Sequence, residues 1–186
     1  EDGIRDVITS GNTNSDTAVQ SLSECKQYAS THSEDECRHY YVGKYYNWTA
    51  AVASNDTSGK NSGTMPNSIC PAGWRLLIGS KQASENEYAQ LVSHYDIIQG
   101  DISSYKDYNE YTTEGLTNVR YTPLFLGRNG SAMAGNINGL ASTGFYWTNR
   151  ITASDTSISI HVSSNRLRLM ADTFRRTGAT IRCVAR

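Results

Sequence analysis

The stretch Ile69-Cys70-Pro71-Ala72-Gly73-Trp74-Arg75-Leu76-Leu77 is the point from which the chain is read. Proline fixes φ directly after a cysteine, and the glycine that follows can take φ > 0, so residues 70–73 read as a tethered tight turn. Trp74 then supplies a large apolar plate, and Leu76 and Leu77 run on toward a helix. The closing stretch, Ala179-Thr180-Ile181-Arg182-Cys183-Val184-Ala185-Arg186, alternates like a strand and carries the last cysteine. We read Cys70 and Cys183 as partners. Their pairing ties the middle of the chain to its last strand and makes the residues between them one closed excursion.

With 186 residues the chain is one domain, or one domain with an N-terminal extension, and is long enough to bury a sizeable core. The formal net charge of −1 gives no reason to expect nucleic acid or an anionic membrane as partner. Residues 150–186 are nonetheless rich in arginine, and the first forty are acidic. Twelve tyrosines against three phenylalanines, amid abundant Ser, Thr, Asn and Gly, suit an adaptable binding surface. The plainer reading is a β-rich extracellular domain with ordinary strand tyrosines. No apolar run reaches transmembrane length and no basic-plus-apolar leader opens the chain, so we expect either a removed leader or a piece of a longer product. The four cysteines form an even set without a Cys-x-x-Cys motif. Cys25 and Cys37 are spaced to close a local loop, and Cys70 with Cys183 a long one. Both suit an oxidising, extracytoplasmic compartment, while the other two connectivities stay open.

Residues 1–13 read as a polar tail. A helix is expected from Asp16, with Val19, Leu22, Cys25 and Ala29 near one face, followed by an acidic turn over residues 32–37. Residues 40–53 are the most aromatic run and are expected to begin as a strand and turn helical from Trp48. Residues 54–68 form a polar surface loop. Asn47, Asn55 and Asn129 each open a glycosylation sequon, a pattern short enough to recur by chance. The clearest helix spans residues 84–95, with Ser84 as cap, Glu87 completing a capping box, and Tyr88, Leu91, Val92 and Tyr95 on one stripe. Residues 96–119 show no period, residues 121–127 look like a strand, and residues 128–144 like a glycine-rich loop.

The remainder reads as short strands. Residues 145–150 are one. In residues 157–163, Ile158, Ile160 and Val162 alternate inward against Ser157, Ser159 and His161 outward. In residues 166–170, Leu167 and Leu169 point inward. Residues 172–178 are a turn carrying Phe174, Arg175 and Arg176, and the closing strand follows. An antiparallel, hairpin-based sheet therefore fills the C-terminal third.

Four blocks together resemble the Fibrobacter succinogenes major paralogous domain: Tyr45-Tyr46-Asn47-Trp48-Thr49-Ala50-Ala51, Cys70-Pro71-Ala72-Gly73-Trp74-Arg75-Leu76, Gly144-Phe145-Tyr146-Trp147-Thr148 and Thr180-Ile181-Arg182-Cys183-Val184. The resemblance covers residues 40–186, and its two cysteine blocks are the most specific. It implies an α+β, C-type lectin-like fold with two helices and short antiparallel sheets. That fold is shared with formylglycine-generating enzymes and with the variable proteins of diversity-generating retroelements. Leu77 stands where the family carries a proline, which puts the start of its helix in doubt. Residues 1–39, with Cys25 and Cys37, have no counterpart in the family and are read as an extension holding a helix and a local disulfide loop.

Calcium-dependent sugar binding would need carboxylates beside Trp147-Thr148-Asn149 and Met65-Pro66-Asn67, and neither has one. No metal or other cofactor is therefore expected. A catalytic reading lacks a nucleophile elbow, a Walker loop and a His-Glu-x-x-His motif. His32, His39, His94 and His161 are scattered, and Cys183 is read as a disulfide partner and not as a reactive thiol. The expected ligand face is the outer side of the last strands: Tyr146, Thr148, Arg150, Ser157, Ser159, His161, Arg166, Arg168 and Met170, with Arg175 and Arg176 from the turn. The plainer reading makes this face the solvated side of a sheet. The function expected is adhesion to or recognition of a protein or glycan at another cell surface, by a secreted or surface-displayed domain. The alternatives are a hypervariable retroelement-diversified receptor-binding protein and a structural surface subunit. An upstream anchor or self-association is compatible with each, and neither nucleic acid nor direct membrane insertion is expected.

Overall fold

Apolar alternation in the last third of the chain forms three long strands, β6 (Gly144–Ile151), β7 (Thr156–Val162) and β8 (Arg166–Phe174). They are the centre of a computed structural model that describes residues 45–54, 62–95, 97, 109–110, 112, 115, 119, 126–133, 136–140, 142–163 and 165–186. The expected N-terminal extension with Cys25 and Cys37, the Asn55 sequon, most of residues 96–119 and residues 121–125 of the expected strand lie outside the described residues. β6, β7 and β8 pair antiparallel, with Tyr146 opposite Ile160 and Val162 opposite Leu167. The expected hairpin sheet is present, with strand β8 extending to Phe174 where a turn was expected from residue 172. The stretch read as a glycine-rich loop forms a hairpin, β4 (Asn129–Met133) and β5 (Asn136–Leu140). β4 meets β6 in a parallel contact at Gly130 and Gly144. Strands β1 (Gly63–Thr64) and β3 (Asn109–Glu110) complete the sheet, against β6 and β8 respectively.

A separate two-stranded ribbon joins β2 (Trp74–Leu76) to β9 (Cys183–Ala185). Cys70 and Cys183 are disulfide-bonded across 113 residues, as expected, with Cα atoms 5.8 Å apart. The chain is thus of mixed α+β type, dominated by strands.

Helix α1 (Trp48–Ala51) starts where expected, capped by Asn47, whose Oδ1 accepts from Ala50 N–H at 2.8 Å. Helix α2 runs over Glu87–His94, and its beginning differs from the expected capping box. Residues Ala83–Glu85 form a 3₁₀ turn, and the cap is Asn86, whose Oδ1 accepts from Ala89 N–H at 3.0 Å. Glu87 is drawn instead to β2: Arg75 donates to both of its oxygens at 2.6 Å, and Ile78 N–H donates to Oε2 at 2.7 Å. A bidentate charged pair outweighs the weak backbone bond that a capping box would have used.

Two cores sandwich the sheet. On one face α2 packs Tyr88, Ala89 and Val92 against Tyr146, Ile160, Val162, Leu167 and Leu169. On the other, α1 packs Trp48, Ala51 and Val52 against Trp147, Ile151, Leu76 and Ala179. Both tryptophans are fully buried and reach across the fold with their ring N–H groups. Trp48 donates to Thr148 O at 2.8 Å, and Trp147 to Tyr46 O at 2.7 Å.

Candidate functional site

The two cores together remove most of the expected ligand face from solvent. Thr148, Ser157 and Ser159 are fully buried, not outward in water. Thr148 lies under Gly79, where an added Cβ would stand 2.2 Å from its Oγ1, and it donates to Ile158 O at 2.9 Å. Ser159 and Thr173 share a hydroxyl–hydroxyl bond of 2.6 Å, and His161 Nε2 lies 2.9 Å from Ser159 Oγ. Tyr146 was expected outward, but residues directly opposite in an antiparallel pair share a face, and its partner is Ile160. It is therefore core, with its hydroxyl donating to Gly127 O at 2.9 Å. Met170 is buried because the register of β7 and β8 shifts between Ser159 and His161, which turns it to the side of Leu167 and Leu169. Arg175 is buried as well. It lies over the Trp48 ring and donates to Ala153 O at 2.5 Å and Thr156 O at 3.4 Å.

Five of the expected residues keep access to solvent: Arg150, His161, Arg166, Arg168 and Arg176. They fall into two groups. Arg166, Arg168 and its cross-strand partner His161 are at the β7–β8 hairpin end. Arg150, bonded to Thr64 Oγ1 at 3.2 Å, and Arg176, stacked 4.5 Å from the Phe174 ring, are remote from them. The strand from Arg166 to Phe174 spans roughly 26 Å at about 3.3 Å per residue. The expected residues thus do not form one surface. Burial, and then the charge of Arg168, hold the His161 imidazole down to about 4, so it is neutral at physiological pH. Its ring packs 4.2 Å from that of Phe145.

The structure brings together a different set. Trp74, Leu77, Tyr88, Leu91, Tyr95, Leu126 and residues 182–185 line an open groove of about 350 Å³ between α2 and the β2–β9 ribbon. Trp74, read as a large apolar plate, is 47% exposed and stands at this groove because the tight turn of residues 70–73 delivers it at the start of β2. The turn has the geometry read from its sequence, with Gly73 at φ +83° and Trp74 N–H donating to Pro71 O at 2.9 Å. Leu91 and Tyr95 lie at the edge of the apolar stripe of α2 and are half-buried. Arg182 is the one charged side chain among the lining residues. Its field acts on the phenols of Tyr88 and Tyr146, both of which burial pushes above the ordinary tyrosine range. Tyr88 is 1% exposed, and its hydroxyl has no hydrogen-bond partner among the described residues. Arg182 carried a signal that was passed over, an arginine at an alternate position of an apolar strand. Trp74 carried none, because a tryptophan after a turn reads equally well as core.

Such a groove can hold an apolar or aromatic group. Trp, Tyr and Arg are also the residue types that dominate binding hot spots. Among the described residues no group of three or more His, Cys, Asp or Glu could hold a metal ion, and no helix is long and apolar enough to cross a membrane. No protein-family model, curated protein or solved structure matches the chain.

Proposed function

We propose that this chain is a recognition domain of C-type lectin-like architecture, displayed outside the cytoplasm, that binds a protein or glycan on another surface without catalysing a reaction on it. The observation that carries the reading is Trp74, a half-exposed indole at an apolar groove whose ribbon is covalently pinned by Cys70–Cys183. Large exposed aromatics over a preformed concavity are features of binding sites, because they give contact area with little ordering cost. The disulfide suits an oxidising compartment. The four sequence blocks support the architecture, with the two cysteine blocks joined and the closing strand paired to the first.

The place of binding differs from the strand face that the sequence suggested. The groove supplies a concavity with clustered anchors, whereas Arg166, Arg168 and His161 form a separate group at the β7–β8 hairpin end. Probing protein and glycan arrays with the wild-type chain, Trp74→Ala and the double variant Arg166→Ala/Arg168→Ala separates the two. The groove reading expects loss of signal in the first variant and retention in the second. The reverse pattern restores the strand face, and an array without any wild-type signal removes the recognition reading.

A further inference from the structure

Burial ends abruptly near the close of the chain. Residues 177–180 are all buried, whereas residues 181–184 are half-buried and 185–186 exposed. Thr180 is the last firmly seated residue. Its C=O accepts from Trp147 N–H and its N–H donates to Phe145 O, both at 3.0 Å. Beyond it, Ile181 rests half-buried on one core and Val184 on the other. β9 pairs with β2 through Leu76 with Cys183, Arg75 with Val184 and Trp74 with Ala185, and Arg186 N–H donates to Gly73 O at 2.9 Å. No third strand joins this ribbon among the described residues. A ribbon of two strands is only marginally stable by itself in water.

β2 is the fixed side of the ribbon. Leu76 and Leu77 are buried, and Arg75 is paired with Glu87 of α2 at 2.6 Å. The closing segment is by contrast a strap that leaves the buried structure at Thr180, and the Cys70–Cys183 bond fastens it. Arg182, Cys183, Val184 and Ala185 of this strap line the groove beside α2, so the groove is complete only while the strap is seated. Both cysteines are half-buried, which leaves the bond outside the sealed part of either core.

We infer that this bond is a redox latch on the groove: oxidised, it seats the strap and completes the site; reduced by a dithiol, it lets the strap leave and abolishes binding. The inference rests on the recognition reading and adds its regulation, since the domain would lose its site on entering a reducing compartment. One thiolate of the dithiol attacks a sulfur of the bridge and displaces the other as a thiolate, giving a mixed disulfide. The second thiol of the reductant resolves it, so two electrons and two protons pass to the protein and the reductant ends as its own disulfide. Local opening falls to segments with few buried contacts, and the strap is such a segment. The strands β6 to β8 are not, because Tyr146, Trp147, Ile158, Ile160, Leu167 and Leu169 are buried along them.

Hydrogen exchange of the full chain, read peptide by peptide before and after treatment with dithiothreitol in the absence of denaturant, tests the latch. Alkylation and mapping confirm that Cys70 and Cys183 have become thiols. Amides of residues 181–186 should then exchange about tenfold faster or more, while those of β6 to β8 keep their protection. Cys70→Ala/Cys183→Ala without reductant should show the same pattern, which separates this bridge from any effect on Cys25 and Cys37. The reduced wild type carries the test where that variant does not fold. A bridge that resists dithiothreitol in the native chain, a strap whose exchange is unchanged, or β6 to β8 opening together with the strap each overturns the latch. Binding to a ligand found on the protein or glycan arrays should be lost on reduction and return on reoxidation. Binding that persists while the strap opens overturns the groove reading together with its regulation. An unmoved strap with groove binding intact overturns the latch alone.

Discussion

The guanidinium of Arg175 lies 5.1 Å from the centroid of the Trp48 ring, joining two residues 127 positions apart in sequence across one face of the sheet. The same side chain donates to Ala153 O and Thr156 O, so it closes the β6–β7 turn onto α1. Arg175 is therefore a structural clamp. Arg175→Ala should destabilise the chain by about 2–4 kcal/mol, through the lost cation–π contact and the lost bond to Ala153 O, while Thr156 O keeps the Thr152 and Ala153 N–H donors. Arg166→Ala, on an exposed side chain at the start of β8, should change stability by no more than about 0.5 kcal/mol. Urea unfolding of the two variants measures the contrast, and equal losses would contradict the clamp.

The Cys70–Cys183 bridge closes the longest loop that the described residues show, with a sequence separation of 113. On chain-entropy grounds, replacing both cysteines by alanine should cost about 5 kcal/mol before any strain in the native bridge. It should also release β9 from the groove. Peptide mapping without reduction should recover residues 70 and 183 in one linked fragment.

Acid sensitivity should begin well above the carboxylate range. The imidazole of His161 is held down to about 4 by burial and by Arg168, against an ordinary value near 6.5. Between these values the unfolded chain binds a proton that the folded chain refuses, so stability rises with pH across this window. Its contribution is complete above about 6.5 and is lost as pH falls toward 4, with a slope of at most about 1.4 kcal/mol per pH unit. Glu87 and Asp172 act in a lower window. For Glu87, burial works against the charge, but Arg75 and the Ile78 N–H outweigh it and hold the carboxyl low. Asp172 is likewise held low by Lys81 against its partial burial. Their contributions are present above the ordinary carboxylate range and are lost as pH falls through the lowered values. Melting curves between pH 7 and pH 4 should therefore flatten in His161→Phe, while the loss below pH 4 persists.

Much of the frame was legible. Pro71 and Gly73 marked the turn, the two cysteine blocks marked the bridge, and the alternation of Ile158, Ile160 and Val162 marked one core face. Ser157 and Ser159 misled because polar alternation implies water on the second face only when nothing covers it. The cover is Trp48 and its neighbours, about a hundred residues away, and periodicity within one strand carries no trace of them. Register caused the error at Tyr146, since two strands read separately do not say which residues stand opposite each other. Ser84 lost the helix cap to Asn86 because Arg75 claimed Glu87, a contact between elements that no local pattern encodes. The groove escaped notice for the same reason, being assembled from a turn, a helix edge and the closing strand.

The most direct test of the central claim is oxidative footprinting of the chain with and without a ligand found on the protein or glycan arrays. Trp74 is 47% exposed and reacts readily in the free protein, while Trp48 and Trp147 are fully buried and serve as internal references. Binding at the groove predicts strong protection of Trp74 and of Tyr95, with His161 unchanged. Unchanged labelling of Trp74 together with protection of His161 would place the ligand on the C-terminal strands and contradict the account.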